Sequence, residues 1–166
     1  VFGFREALAS RQRYGLTLTP ADPLLADLTD PAEQHLRLGL RGKGIEVMGT
    51  YGYTEASDPL ARFEDGTAAI TQVAHGPGRA YAIGLDLGFL LLKGYNNRGD
   101  ELVKTFDNEF DPTLDVWLRL LKSMYRTAHE DAVALGTVPF GKSLSVMMTH
   151  DVDFTQSMAN AVGYAE

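Results

Sequence analysis

The composition of this 166-residue chain is typical of a soluble globular protein, with 45% hydrophobic and 22% charged residues. Fifteen basic residues against 22 acidic ones give a formal net charge of −7, which disfavours nucleic acid and anionic membranes as partners. No run of apolar residues is long enough to predict a membrane span. The absence of cysteine excludes disulfides, thiolate metal ligands and a cysteine nucleophile.

The first 44 residues carry the weakest secondary-structure pattern. The segment from Leu24 to Pro31 predicts a loop with a short turn, and Arg41-Gly-Lys-Gly44 predicts a polar break. The segment Ile45 to Tyr53 is rich in β-branched and aromatic residues, so it predicts a strand.

A three-stranded antiparallel meander is predicted next. Leu60 to Phe63 alternates in polarity, Asp65-Gly66 is a strong two-residue hairpin signal, and Ala68 to Val73 returns along the first strand. A second turn, His75-Gly-Pro-Gly78, leads into Ala80 to Leu85.

A helix is predicted to begin at Asp111-Pro112, with Asp as the N-cap and Pro at the first helical position. Its expected buried stripe consists of Leu114, Trp117, Leu118, Leu121, Tyr125 and Ala128. Residues 132–142 contain Gly136, Pro139 and Gly141 and predict a linker.

The strongest chemical signal is an acidic pair, Asp151 and Asp153, that ends the apolar run of residues 143–153. On an extended backbone the two side chains share a face, so we expect both to project from the carboxyl end of a buried strand. α/β enzymes keep their catalytic residues at that end.

The electrostatic repulsion between the carboxylates of Asp151 and Asp153 must be offset by another interaction. Two carboxylates about 5 Å apart repel by roughly 3 kcal/mol at an effective dielectric of about 20. A shared proton, a basic partner or a cation removes that cost. No Arg or Lys follows Lys142, so a cation or a shared proton is favoured unless a distant Arg folds in. The alternative is structural: Asp153 caps a following helix, with Gln156 completing a capping box.

The string Leu144-Ser-Val-Met-Met-Thr-His-Asp-Val-Asp153 resembles the first motif of the polysaccharide deacetylases, the NodB-homology carbohydrate esterases, in its Asp-x-Asp variant. The resemblance implies a distorted (β/α) barrel in which Asp151 is the general base and Asp153 binds a divalent metal, usually zinc. The implied substrate is an acetylated carbohydrate, and the implied location is the cell envelope or the exterior. His150 departs from the usual Phe; alternation turns it away from the acids, so we expect a packing or supporting residue rather than a ligand.

The remaining ligands of that family are two histidines of a His-x-x-x-His motif. The four histidines of this chain are too scattered to supply it, and a zinc site needs about three protein ligands. The chain also begins at Val1 without Met and ends inside an expected amphipathic helix formed by residues 154–165. We therefore expect a piece of a larger protein, inactive alone, whose metal site is completed by downstream barrel residues of the same polypeptide.

The region from Leu60 to Gly88 resembles the closing part of a class I glutamine amidotransferase-like domain, and the likeness extends loosely over residues 20–128. Such flavodoxin-like domains occur beside the catalytic barrels of β-galactosidases and related proteins. With no cysteine available as a glutaminase nucleophile, the resemblance implies a structural or carbohydrate-positioning module.

The expected fold class is thus α/β: an amidotransferase-like domain over residues 1–131, a linker over 132–142, and the first strand and helix of a deacetylase barrel over 143–166. Two other functions stay open. One is a non-catalytic, carbohydrate-associated scaffold in which the acids are structural. The other is nucleotide binding, because Gly136-Thr-Val-Pro-Phe-Gly-Lys-Ser143 matches the phosphate-loop pattern, although that loop requires a following helix.

Overall fold

A computed structural model describes most of the first 129 residues and a few positions after them. Two compact units are present, Val1–Asp131 and Ala132–Glu166. The described residues are 2–28, 30–39, 49–95, 113–129, 131, 133, 138, 141–142 and 144–146.

The first unit combines short helices with an antiparallel sheet of seven strands. The strands are β1 (Ala7–Ser10), β2 (Gly15–Leu18), β3 (His35–Arg37), β4 (Thr50–Tyr53), β5 (Pro59–Phe63), β6 (Ala68–His75) and β7 (Gly78–Ile83). The helices are a 3₁₀ turn (Pro23–Leu25), α1 (Pro31–Gln34), α2 (Leu87–Tyr95) and α3 (Thr113–Ala128).

The strands follow the order β1-β4-β6-β5-β2-β3, and β7 also pairs with β6. Each pairing among the described strands is antiparallel. The mixed helix-and-strand class is therefore confirmed. The flavodoxin-like assignment is finer than this class and stays a prediction.

The predicted meander is confirmed as β5, β6 and β7. The first connection is longer than the predicted two-residue turn and spans residues 64–67, with Gly66 at a φ of 83°. Asp65 stabilises this connection, because its Oδ1 accepts hydrogen bonds from the backbone N (3.0 Å) and the hydroxyl (2.6 Å) of Thr67. The predicted strand at Ile45 to Tyr53 is confirmed for Thr50–Tyr53; residues 45–48 lie outside the described residues.

The N-terminal region contains more regular structure than its sequence pattern predicts. β1, β2 and β3 have only three or four residues each, too few for a clear alternation signal. The expected loop at Leu24 to Pro31 is partly helical, because Asp22 and Asp30 each cap a turn that has Pro at its start. Asp22 Oδ1 accepts from Leu24 N at 2.8 Å, and Asp30 Oδ1 accepts from Ala32 N at 2.9 Å.

Helix α3 buries a different face from the predicted one. The fully buried residues are Val116, Trp117, Leu120 and Met124, of which Trp117 belongs to the expected stripe. Leu121 of that stripe is partly buried against the core, and the side chain of Leu114 lies outside the described residues. Leu118 and Tyr125 are 38% and 60% exposed. The predicted and observed stripes are offset by about one residue, which is about 100° around the helix axis. Both faces of the helix carry apolar residues, so the spacing of apolar residues does not decide which face is buried.

The hydrophobic core joins α3 to one face of the sheet and to the N-terminal turns. Leu16, Leu36 and Phe63 form one inward row, because they are paired across β3, β2 and β5. The opposite row, Thr17, His35 and Arg62, is exposed or solvent-facing. The sheet therefore presents polar side chains at its β2–β3 edge.

In the second unit, the expected buried strand at residues 143–153 is not supported by its described part. Residues 144–146 are not in a strand, and Leu144 and Val146 are 71% and 73% exposed. A strand buries its side chains only where neighbouring strands and layers cover it, and the described residues provide no strand partner for this segment.

Candidate functional site

The sequence-predicted site residues Asp151, Asp153 and His150 lie outside the described residues. Of the phosphate-loop alternative, the structure describes Val138, Gly141, whose φ is 75°, and the exposed Lys142, and residues 144–146 after it are in no helix. Among the residues that the structure does describe, no three His, Asp or Glu side chains are grouped so that they could hold a metal ion.

Arg13 is the most deeply buried charged side chain of the first unit among those described, with 4% exposure. It lies in the segment that carries the chain from β1 to β2. Its Nε donates to Asp65 Oδ2 at 2.8 Å, and its Nη1 donates to the carbonyl oxygen of Leu8 at 2.8 Å. Its guanidinium also lies 4.8 Å from the ring centre of Phe63. These contacts join three parts of the sheet, which is a structural role.

The pKa of the Asp65 carboxyl depends on burial and on the hydrogen bonds that it accepts. Burial raises its pKa, but the hydrogen bonds from the hydroxyl and the backbone of Thr67, together with those from Arg13, outweigh burial. The net result is a pKa lowered from its ordinary value. Asp65 is thus held ionised as a structural anion at the β5–β6 connection.

A second polar network centres on Gln72, which is 1% exposed in the middle of β6. Its Nε2 donates to Asp22 Oδ2 at 2.8 Å, and its Oε1 accepts from Arg79 Nη1 at 2.8 Å. Burial raises the pKa of the nearby Tyr81, with Arg79 opposing and Asp22 adding to this effect. Because Asp22 also caps the 3₁₀ turn, this network fixes that turn against the sheet.

A surface groove lies at the β2–β3 edge of the sheet. It has a volume of about 670 Å³, within the range of small-ligand pockets. The polar lining residues are Tyr14, Thr17, His35, Arg37 and Glu64. Thr17 Oγ1 and His35 Nδ1 lie 3.0 Å apart and form a hydrogen bond, which orients the imidazole.

Gly15 forms part of the groove floor. It pairs with Arg37 across β2 and β3, and a Cβ added there would lie 3.4 Å from Glu64 Oε1 and 3.4 Å from the carbonyl oxygen of Leu36. Gly15 therefore places no side chain beside the Glu64 carboxylate. A smaller pocket of about 420 Å³ lies at the β1–β4 edge, beside Arg11 and Tyr51.

The residues that line the groove belong to no motif in the sequence. His35 and Arg37 belong to a strand of three residues that the sequence pattern does not reveal. Their i, i+2 spacing places them on one face only once that strand is known. Tyr14 and Glu64 are close to them only through strand pairing, which the sequence does not specify.

The chain matches no protein-family model, no curated protein and no solved structure. Within the described residues, none of the helices is both long and apolar enough to cross a membrane.

Proposed function

We propose that Asp151 and Asp153 begin the metal site of a polysaccharide deacetylase-like hydrolase that removes acetyl groups from amino sugars or acetylated glycans. The observation that carries this proposal is the Asp-x-Asp pair directly after the apolar run Leu144 to Met148, in a string that resembles the first deacetylase motif. The pair has no basic neighbour in the following sequence to neutralise it.

In this proposal the two carboxylates have different tasks. Asp153 ligates a divalent cation, and Asp151 removes a proton from the water that attacks the acetyl carbonyl carbon. When bound, the cation would polarise that carbonyl and lower the pKa of the water. Carboxylate oxygens suit zinc as well as harder divalent ions. The proposal requires further ligands, since the 166 residues contain no His-x-x-x-His motif.

The first unit acts in this proposal as a non-catalytic module associated with carbohydrate. Its buried polar side chains support that role, because Arg13 and Gln72 are hydrogen-bonded to strands and turns of the same unit rather than directed into a cleft. The amidotransferase-like assignment of this unit is part of the same proposal and rests on the pattern of residues 60–88.

The experiment is a Zn²⁺ titration by calorimetry, paired with acetate release from an N-acetylated glycan, both with the intact protein that carries the further ligands. We expect Asp153→Asn to weaken Zn²⁺ binding by about tenfold or more, equivalent to about 1.4 kcal/mol. Asp151→Asn should abolish acetate release while leaving much of the metal affinity. Asp131→Asn, an exposed carboxylate outside the motif, is the matched control and should change neither quantity.

Two results would contradict the proposal. An equal Zn²⁺ affinity for the intact protein with Asp153→Asn and for the unsubstituted intact protein would contradict the metal site. Full acetate release by Asp151→Asn in the intact protein would leave the acids with a structural role, as the scaffold alternative states.

A further inference from the structure

We propose that Asp65-Gly66 is a latent site of isoaspartate formation, which the folded β5–β6 connection keeps unreactive and which local opening of that connection exposes to reaction. It is the single Asp-Gly or Asn-Gly dipeptide among the 166 residues. A glycine after an aspartate favours this reaction, because it places no side chain in the way of the attacking amide nitrogen. The inference does not depend on the proposed deacetylase function.

Isoaspartate forms in two steps within the chain itself. The backbone nitrogen of Gly66 forms a bond to Cγ of Asp65, and a carboxylate oxygen leaves as water with the amide proton and a proton from the solvent. The product is a cyclic succinimide. Water then opens this ring at either carbonyl carbon, which gives back aspartate or gives isoaspartate, in which the backbone runs through the former side chain.

The carboxyl of Asp65 is held in an unreactive state. Its Oδ1 accepts hydrogen bonds from the backbone N and the hydroxyl of Thr67, at 3.0 and 2.6 Å, and its Oδ2 accepts one from Arg13 Nε at 2.8 Å. These bonds favour the ionised carboxylate. An oxygen of a carboxylate is a much poorer leaving group than the hydroxyl of the neutral acid, so the network suppresses the first step.

The attacking amide of Gly66 is also held in place. Its N–H donates to the carbonyl oxygen of Phe63 at 3.0 Å, and its own carbonyl oxygen accepts from Arg62 Nη1 at 2.9 Å. The nitrogen must lose its proton to attack Cγ, so the bond to Phe63 has to break first. Both reacting groups are therefore blocked while the connection is closed.

The connection is placed where it can open without unfolding of the sheet. The side chain of Asp65 is 46% exposed, so water reaches the reacting carboxyl. The inner part of the network rests on β4, because a Cβ on Gly52 would overlap Thr67 Oγ1. Surface connections open at a lower free energy than core strands. Isoaspartate adds a carbon to the backbone and shortens the carboxyl-bearing branch, so the altered connection loses its original contacts with Arg13 and Thr67.

The test is the uptake of heavy oxygen at residue 65 when the chain is kept at neutral pH in isotopically labelled water, because each succinimide takes an oxygen atom from water as its ring opens. Mass spectrometry of the tryptic peptide 63–79 locates the label and separates the isoaspartyl form. We expect uptake in the folded chain to be slower than in the urea-unfolded chain by about tenfold or more. Equal rates in the two states, or no uptake at residue 65 in the unfolded chain, would overturn the proposal.

Two pairs of variants test the network, and urea unfolding shows that each variant is folded. Thr67→Val removes the hydroxyl bond to Asp65 and should raise uptake in the folded chain by about threefold or more. Its matched control is Thr127→Val, which removes a hydroxyl bond on the exposed side of α3 and should leave uptake within about twofold.

The second pair separates local opening from global unfolding. Arg13→Met removes the bond to Asp65 and should raise uptake, whereas Leu120→Ala destabilises the core at α3 and should raise uptake less than Arg13→Met does. A rise in Leu120→Ala as large as that in Arg13→Met would show that the reaction follows global unfolding, which overturns the local route. Unchanged uptake in both Thr67→Val and Arg13→Met would overturn the protective role of the network.

Discussion

Arg13 offers the sharpest test of how the first unit is held together. Its side chain is 4% exposed and reaches from the β1–β2 connection to Leu8 in β1, to Thr50 in β4 and to Asp65 beyond β5. We predict that Arg13→Ala destabilises the unit strongly, because no other described side chain makes this set of connections.

The magnitude follows from the separate contacts. Loss of the short hydrogen bond from the guanidinium to the Leu8 carbonyl costs about 2 kcal/mol, as for other bonds from charged groups. Loss of the buried methylene stem costs a further 1–2 kcal/mol, roughly. The ion pair with Asp65 adds at most about 1 kcal/mol, because the Asp65 side chain is 46% exposed. The expected total for Arg13→Ala is about 3–5 kcal/mol.

The assay is equilibrium urea unfolding followed by the fluorescence of Trp117, the single tryptophan of the chain. Arg13→Met retains much of the apolar stem and should lose only about 2 kcal/mol. A double-mutant cycle between Arg13→Ala and Asp65→Ala should give a coupling energy no larger than about 1 kcal/mol. Equal stability of Arg13→Ala and the unsubstituted chain would refute the assignment of Arg13 as the connecting residue.

Three further predictions use the same unfolding measurement. Gly84→Ala should cost about 3 kcal/mol or more, because the new Cβ would overlap a backbone carbonyl of β4 and lie 3.1 Å from a backbone carbonyl oxygen of β6. Gly78→Ala is the control: the nearest atom is 3.8 Å from its new Cβ, so stability should change by less than about 0.5 kcal/mol. Equal losses of stability in the two variants would contradict this packing. Folding lowers the pKa of Asp65. The stability that the ionised carboxylate contributes is therefore complete above its ordinary pKa of about 3.9 and is lost as pH falls through its folded-state pKa. Stability should therefore fall less steeply below about pH 4 in Asp65→Asn than in the unsubstituted chain, and identical slopes would refute the network. Leu120→Ala should cost about 3 kcal/mol and Leu118→Ala less than about 1, and the reverse order would restore the stripe predicted from sequence.

The sequence predicted the meander well because its signals are local. The turn at Asp65-Gly66 and the β-rich segments on each side of it lie within a few residues of one another. It did not predict the pairing of β1 with β4 or of β2 with β5, because each joins segments about 40 residues apart. Short strands depend on such partners for their stability, so their own residues carry little signal.

The sequence does not predict the groove, because its residues come from separate segments. It does reveal the acidic pair, because the two residues are close in sequence. Asp151 and Asp153 are two residues apart, so their chemistry is visible in the sequence alone. Glu64 and Arg37 line the same groove only through two strand pairings, one on each side of β2. No spacing rule applied to one segment can bring those residues together.

Polar residues of the first unit fall into two groups with separate consequences for mutation. Arg13, Thr71 and Gln72 are buried and bonded to distant segments, so their loss leaves unsatisfied groups inside the fold. His35 and Arg37 are exposed on the edge strand, where substitution leaves the core row beneath them intact. Substitutions of exposed residues at the β2–β3 edge should therefore cost much less stability than substitutions of the buried polar group.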